Sequence, residues 1–413
     1  MRPRITTVDR AERVRVPLDP TVKALGVVTL LNDLSSEVAV RTLPLFLANV
    51  LGAKAGIIGL IEGLAESTAT LLRIVSGYMA DRLGRKKPLA VWGYGLSGFT
   101  KPLLFFATGW PLVLTVRILD RIGKGIRSAP RDALIAEVTA PEHRGRAFGF
   151  NKAMDKAGAV AGLILAAAIL YFGGTGQPVL TRDNYQALVL LSVIPGVAAV
   201  FVLMRWVKER PAHDWAAPRV TARLAWRGLP GRFKAYLAVL VVFTLGNSSD
   251  AFLMLRAQTL GFSPVEIFLV LAVFSLVISL TATPAGTLSD WLGRRGFIVA
   301  GWAIYAAIYL GFAVASSPWQ IWALYLGYGL YHGAFQGAAS ALVADLVSPA
   351  LRGTAYGLFN GAVGVMALPA SLLAGLLWDW YGPSVPFLFG GVLALLSTLA
   401  IVWVAPGPVS SRR

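Results

Sequence analysis

The sequence predicts an all-α membrane protein in which twelve transmembrane helices form two pseudo-symmetric six-helix bundles. Three observations lead to this prediction. The 413 residues are 56% hydrophobic and only 14% charged, and a mean hydropathy of +0.65 is too high for a soluble globule of this length. Apolar runs long enough to cross a bilayer recur along the chain. The second half also repeats sequence blocks of the first half in order.

Apolar runs bounded by turn signals predict the positions of the individual helices. The predicted spans are 22–49, 55–80, 88–108, 111–138, 146–172, 186–207, 234–258, 264–288, 297–315, 319–346, 352–378 and 384–404. The longest break between them is basic and contains prolines, as expected of a linker between two bundles. The predicted organisation is a tail at 1–21, a bundle at 22–207, a linker at 208–233, a bundle at 234–404 and a tail at 405–413.

The net charge of +17 is distributed unevenly among the loops. Lys and Arg concentrate in alternate loops such as 82–87 and 142–146, whereas the loops near 108–111 and 316–318 contain almost none. Basic loops stay in the cytoplasm during membrane insertion, so both termini are predicted to be cytoplasmic. The N-terminal tail has no apolar signal-peptide core. We therefore expect a multi-pass protein of the cell (inner) membrane, with no nucleic-acid partner.

The clearest repeat is a basic turn that closes one apolar run in each half. GYMADRLGRKK begins at Gly77, and GTLSDWLGRR begins at Gly286, which is 209 residues later. In both copies an Asp follows the first Gly by four residues, and another Gly follows the Asp by three. A basic turn that recurs at half the chain length, among membrane spans, is typical of a duplicated transporter.

This turn resembles the signature loop of the major facilitator superfamily, and the chain is similar to that family over nearly its whole length. The resemblance implies a secondary active transporter that works by alternating access around a midplane site. It also implies that the turn latches the two halves together, because a helix N-terminus attracts the Asp carboxylate. We expect Glu137 to pair with Arg82 or Arg85; the alternative is that these charges only fix topology. The predicted latch residues are Gly77, Asp81, Arg82, Gly84, Arg85, Glu137, Asp290, Gly293, Arg294 and Asp345.

The fourth span is unusually polar for a membrane helix. Its stripe at helical spacing contains Arg117, Arg121, Lys124, Ser128 and Arg131. Charges inside a span are costly and usually face a wet cavity or a partner. The segment from Arg121 to Gly125 resembles the family's span-four motif, which implies that Arg121 takes part in proton coupling. Asp120 is expected to pair with Arg121, with Lys124 or with an Arg of another helix.

Acidic and polar residues on other spans complete the predicted binding and proton-coupling network. Asp33, Glu37 and Arg41 recur every four residues on the first span, whereas the second half has few charges and offers a stripe of aromatic and imidazole groups instead. The alternative is a set of static ion pairs that holds the helices together. The network comprises Asp33, Glu37, Arg41, Arg117, Asp120, Arg121, Lys124, Asp155, Asp250, Tyr325, Tyr328 and His332.

The surplus of cations in the first half predicts an anionic or zwitterionic solute. The acids of the first span leave open a multidrug exporter or an exporter of metals or metal chelates, and a transporter of lipid-like amphiphiles is a further alternative. Gly149, Gly158 and Gly162 match the family's antiporter motif in part, which favours export by antiport. The same glycines are also expected where helices pack closely.

Other classes of function lack their signatures. The chain has no Cys, and its three His are far apart in sequence, so no metal site is predicted. No GxxxxGK[ST] occurs, so the proton gradient is the expected energy source and no cofactor is expected. No nucleophile elbow or HExxH motif suggests an enzyme. The expected partners are a small-molecule substrate, protons and the lipid bilayer, and the resemblance implies a monomer.

Overall fold

A computed structural model describes residues 17–83, 85–173, 179–209, 226–292 and 294–404. For residues 74, 78, 80–83, 227, 282–292, 294, 295, 336–341 and 350 it describes the backbone alone. Within these ranges the regular structure is helical throughout. Most of the predicted N-terminal tail, the predicted C-terminal tail, most of the linker, and the predicted latch residues Gly84 and Gly293 lie outside the described residues.

Fourteen α-helices account for the predicted spans. They are α1 Pro20–Ala39, α2 Leu43–Asn49, α3 Ala55–Leu83, α4 Lys86–Thr100, α5 Trp110–Glu137, α6 Arg144–Phe172, α7 Arg182–Trp206, α8 Gly231–Leu245, α9 Ala251–Thr259, α10 Pro264–Leu292, α11 Arg294–Val314, α12 Pro318–Leu346, α13 Arg352–Tyr381 and α14 Val385–Val404.

Several helices begin where the sequence offers a cap. The Asp19 carboxylate accepts a hydrogen bond of 2.7 Å from the backbone N of Thr21, and Pro20 occupies the first position of α1, where no amide donor is needed. At the start of α12, Ser317 and Gln320 form a capping box.

The first and seventh predicted spans are broken, and this corrects the prediction of continuous helices at 22–49 and 234–258. Between α1 and α2, the hydroxyl of Thr42 donates to the carbonyl of Ala39 at 2.8 Å, and Pro44 lacks an amide proton. Between α8 and α9, the polar segment 246–250 interrupts the helix. Gly52 and Gly261, which are 209 residues apart, follow the second pieces with φ of 61° and 91°. The breaks therefore repeat with the sequence.

Seven of the described helices are long and apolar enough to cross a membrane. They are Ala55–Gly77, Pro141–Phe172, Arg182–Trp206, Pro264–Thr281, Gly296–Val314, Arg352–Tyr381 and Val385–Val404. Among the remaining spans, α8 ends at the break after 15 residues, and α1 and α5 contain several charged residues. The third span changes from α-helix to a 3-10 turn at Lys101–Phe106.

Contacts within each half outnumber the contacts between halves, as expected for two bundles. In the first half α1 packs on α6 and α7, and α5 packs on α3 and α4; in the second half α11 packs on α12 and α14, and α10 packs on α12. The halves meet mainly where α3 contacts α13 and where α6 contacts α10. We call the end of the bundles at which α1 begins the basic side, and the end at which α3 begins the far side.

Candidate functional site

A cavity with an empty volume of about 630 Å³ lies between the two halves, near the middle of the helices. Among the described residues, the second half contributes Ser249, Ala251 and Met254 to its lining. All the charged lining residues belong to the first half. They are Asp33, Glu37, Arg41, Glu62, Arg117, Asp120, Arg121, Lys124 and Arg127.

The two helix breaks bring opposite charges together across the interface between the halves. Arg41 lies in the break between α1 and α2, and its Nη2 is 3.9 Å from Oδ2 of Asp250, which lies in the break between α8 and α9. Arg41 Nε is also 3.5 Å from Oε2 of Glu37. Tyr328 donates a hydrogen bond of 3.1 Å to Oδ1 of Asp250. These contacts connect the helix break of one half to the helix break of the other. Irregular backbone at membrane depth is tolerated only where it is buried in protein or lines a cavity.

The deepest charged contact of the cavity links α5 to α3. Arg117 donates from Nε and Nη2 to the two carboxylate oxygens of Glu62, at 3.1 and 2.7 Å, in a bidentate pair. Its Nη1 is 3.8 Å from Asp120, which also accepts a hydrogen bond from the Ser97 hydroxyl. Asp120 therefore pairs with Arg117 on its own helix, and neither Arg121 nor Lys124, the partners expected from the sequence, is within ion-pair distance in the described part of the chain.

Among the described residues, four guanidinium nitrogens beside the cavity are buried without a hydrogen-bond acceptor. They are Nε of Arg41, Nη1 of Arg117, Nε of Arg121 and Nη1 of Arg127. Leaving a buried donor unsatisfied costs about 1–3 kcal/mol, and more for a charged group. A site that keeps four such donors around one cavity is suited to a ligand that supplies acceptors.

Three residues of this site were missed by the sequence prediction. Glu62 and Arg127 line the cavity, and Lys101 is 1% exposed and donates to the hydroxyls of Ser35 and Ser36 at 2.9 Å. The spacing of Arg127, three residues after Lys124, was a usable signal for its helix face. Lys101 gave no periodic signal because the helix changes to a 3-10 turn there.

Asp155 lies behind the cavity, where α6 packs on α1. Thr29 donates to Asn151 at 3.0 Å, and the next turn of each helix carries Asp33 and Asp155. One turn beyond the Thr29–Asn151 contact, this packing brings the two carboxyl groups close together. Neighbouring carboxylates do not both ionise easily, so the pair is suited to hold one proton.

The predicted aromatic stripe does not line this cavity. Tyr325 and Tyr328 are each 1% exposed and belong to a buried aromatic cluster of the second half. His332 packs edge-on against Tyr328, with ring centroids 4.4 Å apart, and is half-buried. Arg131, which belongs to the predicted stripe on α5, is not among the residues that line the cavity. Its guanidinium instead forms an ion pair with Asp132, at 2.8 Å.

The predicted latch is described in part. Glu137 forms an ion pair with Lys86. In the described contacts Arg85 does not pair with it, and the expected pairing with Arg82 stays a prediction because the Arg82 side chain lies outside the described residues. Lys86 also donates its backbone amide to Glu209, so two acids of the first half hold the start of α4. Gly77, Asp81, Arg82, Asp290 and Arg294 lie in helices, but apart from Gly77 their side chains are outside the described residues; Arg85 and Asp345 are exposed.

A tight seam closes the two halves on the far side. A Cβ at Gly59 would lie 2.1 Å from the carbonyl O of Ser371, and one at Gly375 would lie 2.4 Å from that of Ala55. The Asp379 carboxylate accepts hydrogen bonds from the backbone N of Ala55 and Gly56, at 2.9 and 2.8 Å. The end of α13 in the second half thus caps the start of α3 in the first half.

Within the described residues, no group of three or more His, Asp or Glu is placed to hold a metal ion. Two of the glycines that suggested an antiporter motif are explained by packing. A Cβ at Gly158 would lie 2.3 Å from Leu30 O, and one at Gly162 would lie 2.8 Å from Leu34 O, whereas Gly149 has open space beside it.

Comparison with known sequences places the chain among membrane transporters. The model of the Major Facilitator Superfamily matches residues 25–257 and 235–413. An uncharacterized MFS-type transporter of Methanocaldococcus jannaschii is 34% identical over 396 residues, which are 94% of this chain and 95% of the relative. The multidrug resistance protein MdtH of Aeromonas hydrophila is 33% identical over 150 residues, which are 36% of this chain and 37% of that protein.

Solved structures share the fold at low sequence identity. The nucleoside transporter NupG matches with a TM-score of 0.75 and 13% identity, over 93% of this chain and 98% of that one. A bacterial homolog of the human lysosomal transporter Spinster, in an inward-facing and occupied conformation, matches with a TM-score of 0.71 and 15% identity, over 93% and 94% of the two chains. These matches confirm the predicted twelve-helix fold.

Proposed function

The chain belongs to the Major Facilitator Superfamily and is a membrane transporter, not an enzyme; on that premise we propose that it moves a small anionic or zwitterionic solute, coupled to protons. The observation that carries this proposal is the set of buried guanidinium nitrogens of Arg41, Arg117, Arg121 and Arg127, which lack hydrogen-bond acceptors among the described residues beside the cavity. A solute carboxylate, phosphate or sulfonate supplies the missing acceptors.

The charge balance of the cavity supports an anionic group on the solute. Five cationic side chains and four carboxylates line it, and the carboxylates of Glu62 and Asp120 are already engaged by Arg117. A bound cation would add to this surplus, whereas an anion offsets it. A zwitterion fits as well, since the carboxylates of Asp33 and Glu37 on α1 line the same cavity.

Proton coupling is supported by the carboxyl groups around Asp33. Asp33 and Asp155 share a contact suited to one proton, and Glu37 lies one turn further along the same face of α1. Binding and release of a proton there changes the charge of the cavity wall, and this biases the equilibrium between states of the transporter.

The direction of transport has less support. Export by antiport was expected from three glycines, and the packing of Gly158 and Gly162 against α1 accounts for two of them without reference to function. If the basic side faces the cytoplasm of a cell-membrane protein, as the loop charges predict, the closed seam lies on the outside and the conformation is inward-facing. We also propose that the protein acts as a monomer and uses the proton gradient without a cofactor.

The test is transport by purified protein in liposomes that contain a pH-sensitive dye. The panel comprises monocarboxylates, organic phosphates, amino acids and cationic dyes, each with and without an imposed pH gradient. We expect an anion or a zwitterion to move protons with it, and Asp33→Asn to abolish the coupling. If Asp33→Asn and Glu37→Gln both retain full pH-dependent transport, the proton part of the proposal is wrong.

A multidrug exporter is the second candidate. It is favoured by the partial match to the multidrug resistance protein MdtH, which covers about a third of the chain, and by the acids of α1. This candidate predicts that cationic dyes alone are transported and that neutralising Arg121 leaves the transport intact.

A further inference from the structure

Two cations of the cavity differ from the others in their contacts. In the described part of the chain, each of the other cavity cations has a carboxylate at 4 Å or less: Arg41 has Glu37 and Asp250, Arg117 has Glu62 and Asp120, and Arg121 has Glu66. Lys124 and Arg127 have no such contact there. They are three residues apart on α5, so they lie on neighbouring turns of one face.

Arg127 is held rigidly in position. It is 6% exposed, and its guanidinium lies over the ring of Tyr94, with 4.6 Å between the carbon Cζ and the ring centroid. The backbone beside it is tightly packed, because a Cβ at Gly93 would lie 2.7 Å from Cβ of Arg127. Its Nη1 is nevertheless without an acceptor. A fixed guanidinium with a free donor is ready to bind without further loss of side-chain entropy.

Lys124 complements this group because it is exposed and lines the cavity. An ammonium on a flexible stem adjusts to the position of a ligand, whereas the planar guanidinium fixes the ligand's orientation. Together they offer two positive charges to one oxyanion. This pairing suits a carboxylate, phosphate or sulfonate head group.

We propose that Lys124 and Arg127 form the oxyanion subsite of the cavity, and that Asp33 is their counter-ion when the subsite is empty. The inference rests on the proposed transport of an anionic or zwitterionic solute and specifies where its anionic group binds. Asp33 lines the same cavity as both cations. It is also near enough to interact electrostatically with each of them.

Protonation of Asp33 should therefore strengthen anion binding. The ionised carboxylate offsets the charge of the two cations and repels an incoming anion, whereas an Asp33 carboxyl that carries the proton is neutral and does neither. Several other charged groups lie near this pair. They are Lys152 and Lys156 on α6, Arg131 on α5 and Lys101 on the third span, all of them cationic.

One consequence concerns the mode of coupling. When a proton and an anion promote each other's binding, the loaded state carries both, and linkage makes the effect reciprocal. The subsite thus favours movement of the proton together with the solute, in contrast to the antiport expected from the glycine spacing.

The experiment is a thermal-shift titration of the full-length protein in detergent, at pH 5.5 and 7.5. The probes are sulfate and methanesulfonate, whose charges stay constant over this range, with chloride at matched ionic strength. We expect wild type to bind sulfate at least tenfold more tightly at pH 5.5. Lys124→Gln and Arg127→Gln should each weaken binding about tenfold or more, and Asp33→Asn should bind at pH 7.5 as tightly as wild type does at pH 5.5.

Lys23→Gln is the matched control, because it removes one positive charge from an exposed position of α1 about 15 Å along the helix from Asp33. General stabilisation by sulfate persists in every variant, so only the differences between variants count. If Arg127→Gln fails to fold, Lys124→Gln still tests the subsite, since Lys124 is exposed.

The inference fails if Lys124→Gln binds sulfate as wild type does, or if Asp33→Asn retains the pH dependence. Binding of anions that is indifferent to Lys124 and Arg127 leaves the proposed function intact and overturns only the subsite. If neither anion stabilises wild type at either pH while cationic dyes do, the proposed anionic cargo and the subsite are both wrong.

Discussion

The two halves share one helical plan but present different chemistry to the space between them. The first half lines the cavity with nine charged side chains, whereas the second half contributes Ser249, Ala251 and Met254. Behind that wall the second half buries an aromatic cluster that includes Tyr305, Tyr309, Tyr325 and Tyr328. The repeat therefore preserves the scaffold, while the charged groups that line the cavity are concentrated in the first half.

The repeated position shared by Lys124 and His332 illustrates this divergence. Lys124 lines the cavity and is exposed, whereas His332, 208 residues later, is half-buried and packs against Tyr328 and Phe274. Helix geometry gives both residues the same place in the fold. The neighbouring side chains determine whether the residue at that position is exposed to the cavity or packed against other residues.

The largest expected loss of stability is for a variant in the first half, which supplies the charged lining of the cavity. Glu62→Gln removes the charge that offsets Arg117, which is 5% exposed. Breaking a buried ion pair by changing one partner costs about 3–5 kcal/mol. Since Asp120 stays 3.8 Å from Nη1 of Arg117 and offsets part of its charge, we expect a loss near the lower end of that range. Unfolding in mixed micelles measures this loss. The double variant Glu62→Met with Arg117→Met, which removes both charges, should recover most of it; a double variant as unstable as Glu62→Gln would contradict the explanation.

A smaller effect is expected in the second half, where the Tyr328 hydroxyl donates a hydrogen bond and the nearby Tyr325 hydroxyl has no hydrogen-bond partner among the described residues. Tyr328→Phe removes the donor to Asp250 and should cost about 1–3 kcal/mol of the free energy of unfolding. Tyr325→Phe is the matched control, because the Tyr325 hydroxyl is buried without a hydrogen-bond partner. Its removal should be neutral or stabilising. Equal losses for the two variants would show that ring packing, and not the contact with Asp250, explains the effect.

The contact between the halves can be tested at the seam. Asp379→Ala removes the cap on α3 and should weaken the closed far side by about 1 kcal/mol, which shifts the open-to-closed ratio on the order of fivefold. The chain has no Cys, so a single Ser371→Cys reports opening through its rate of maleimide modification. Ser371 is 4% exposed in the closed seam.

Asp19→Ala is the control for that experiment, since Asp19 caps a helix within one half. It should lower stability by a similar amount without changing the modification rate of Ser371→Cys. A rate that stays the same in Asp379→Ala would mean that the glycine packing of α3 on α13 alone holds the seam closed.

The sequence was sufficient to predict the fold because its main signals are periodic. Apolar run length and the charge of each loop depend on residues that are close in the chain. The turn that begins at Gly77 is also a local pattern, and the same pattern returns at Gly286. The breaks at 40–42 and 246–250 were missed, although both were polar in an apolar context. A back-bonding Thr42 and a Ser-rich segment interrupt a helix only when the surrounding structure satisfies the released backbone groups.

Some of the residues that line the cavity could be predicted because helical spacing groups residues on one face of a helix. Helical spacing grouped Asp33 with Glu37 and Arg41, and Arg117 with Arg121 and Lys124, and the structure places all six on the cavity wall. Spacing does not determine which helices face each other. The Glu62–Arg117 pair, the burial of Tyr325 and the cap formed by Asp379 depend on contacts between segments far apart in sequence.

The smallest expected effect comes from an exposed ion pair in the first half. It tests whether burial, or the interface between two particular helices, makes an ion pair important for stability. Arg73 and Asp132 join the same two helices as Glu62 and Arg117, but their atoms are 3.4 Å apart and the Arg73 side chain is 63% exposed. Water screens such a pair, and Asp132 also keeps a 2.8 Å contact with Arg131. Arg73→Gln should therefore cost about 0–1 kcal/mol in the same unfolding assay. A loss as large as that of Glu62→Gln would mean that the α3–α5 interface, and not desolvation in the cavity, makes these ion pairs important.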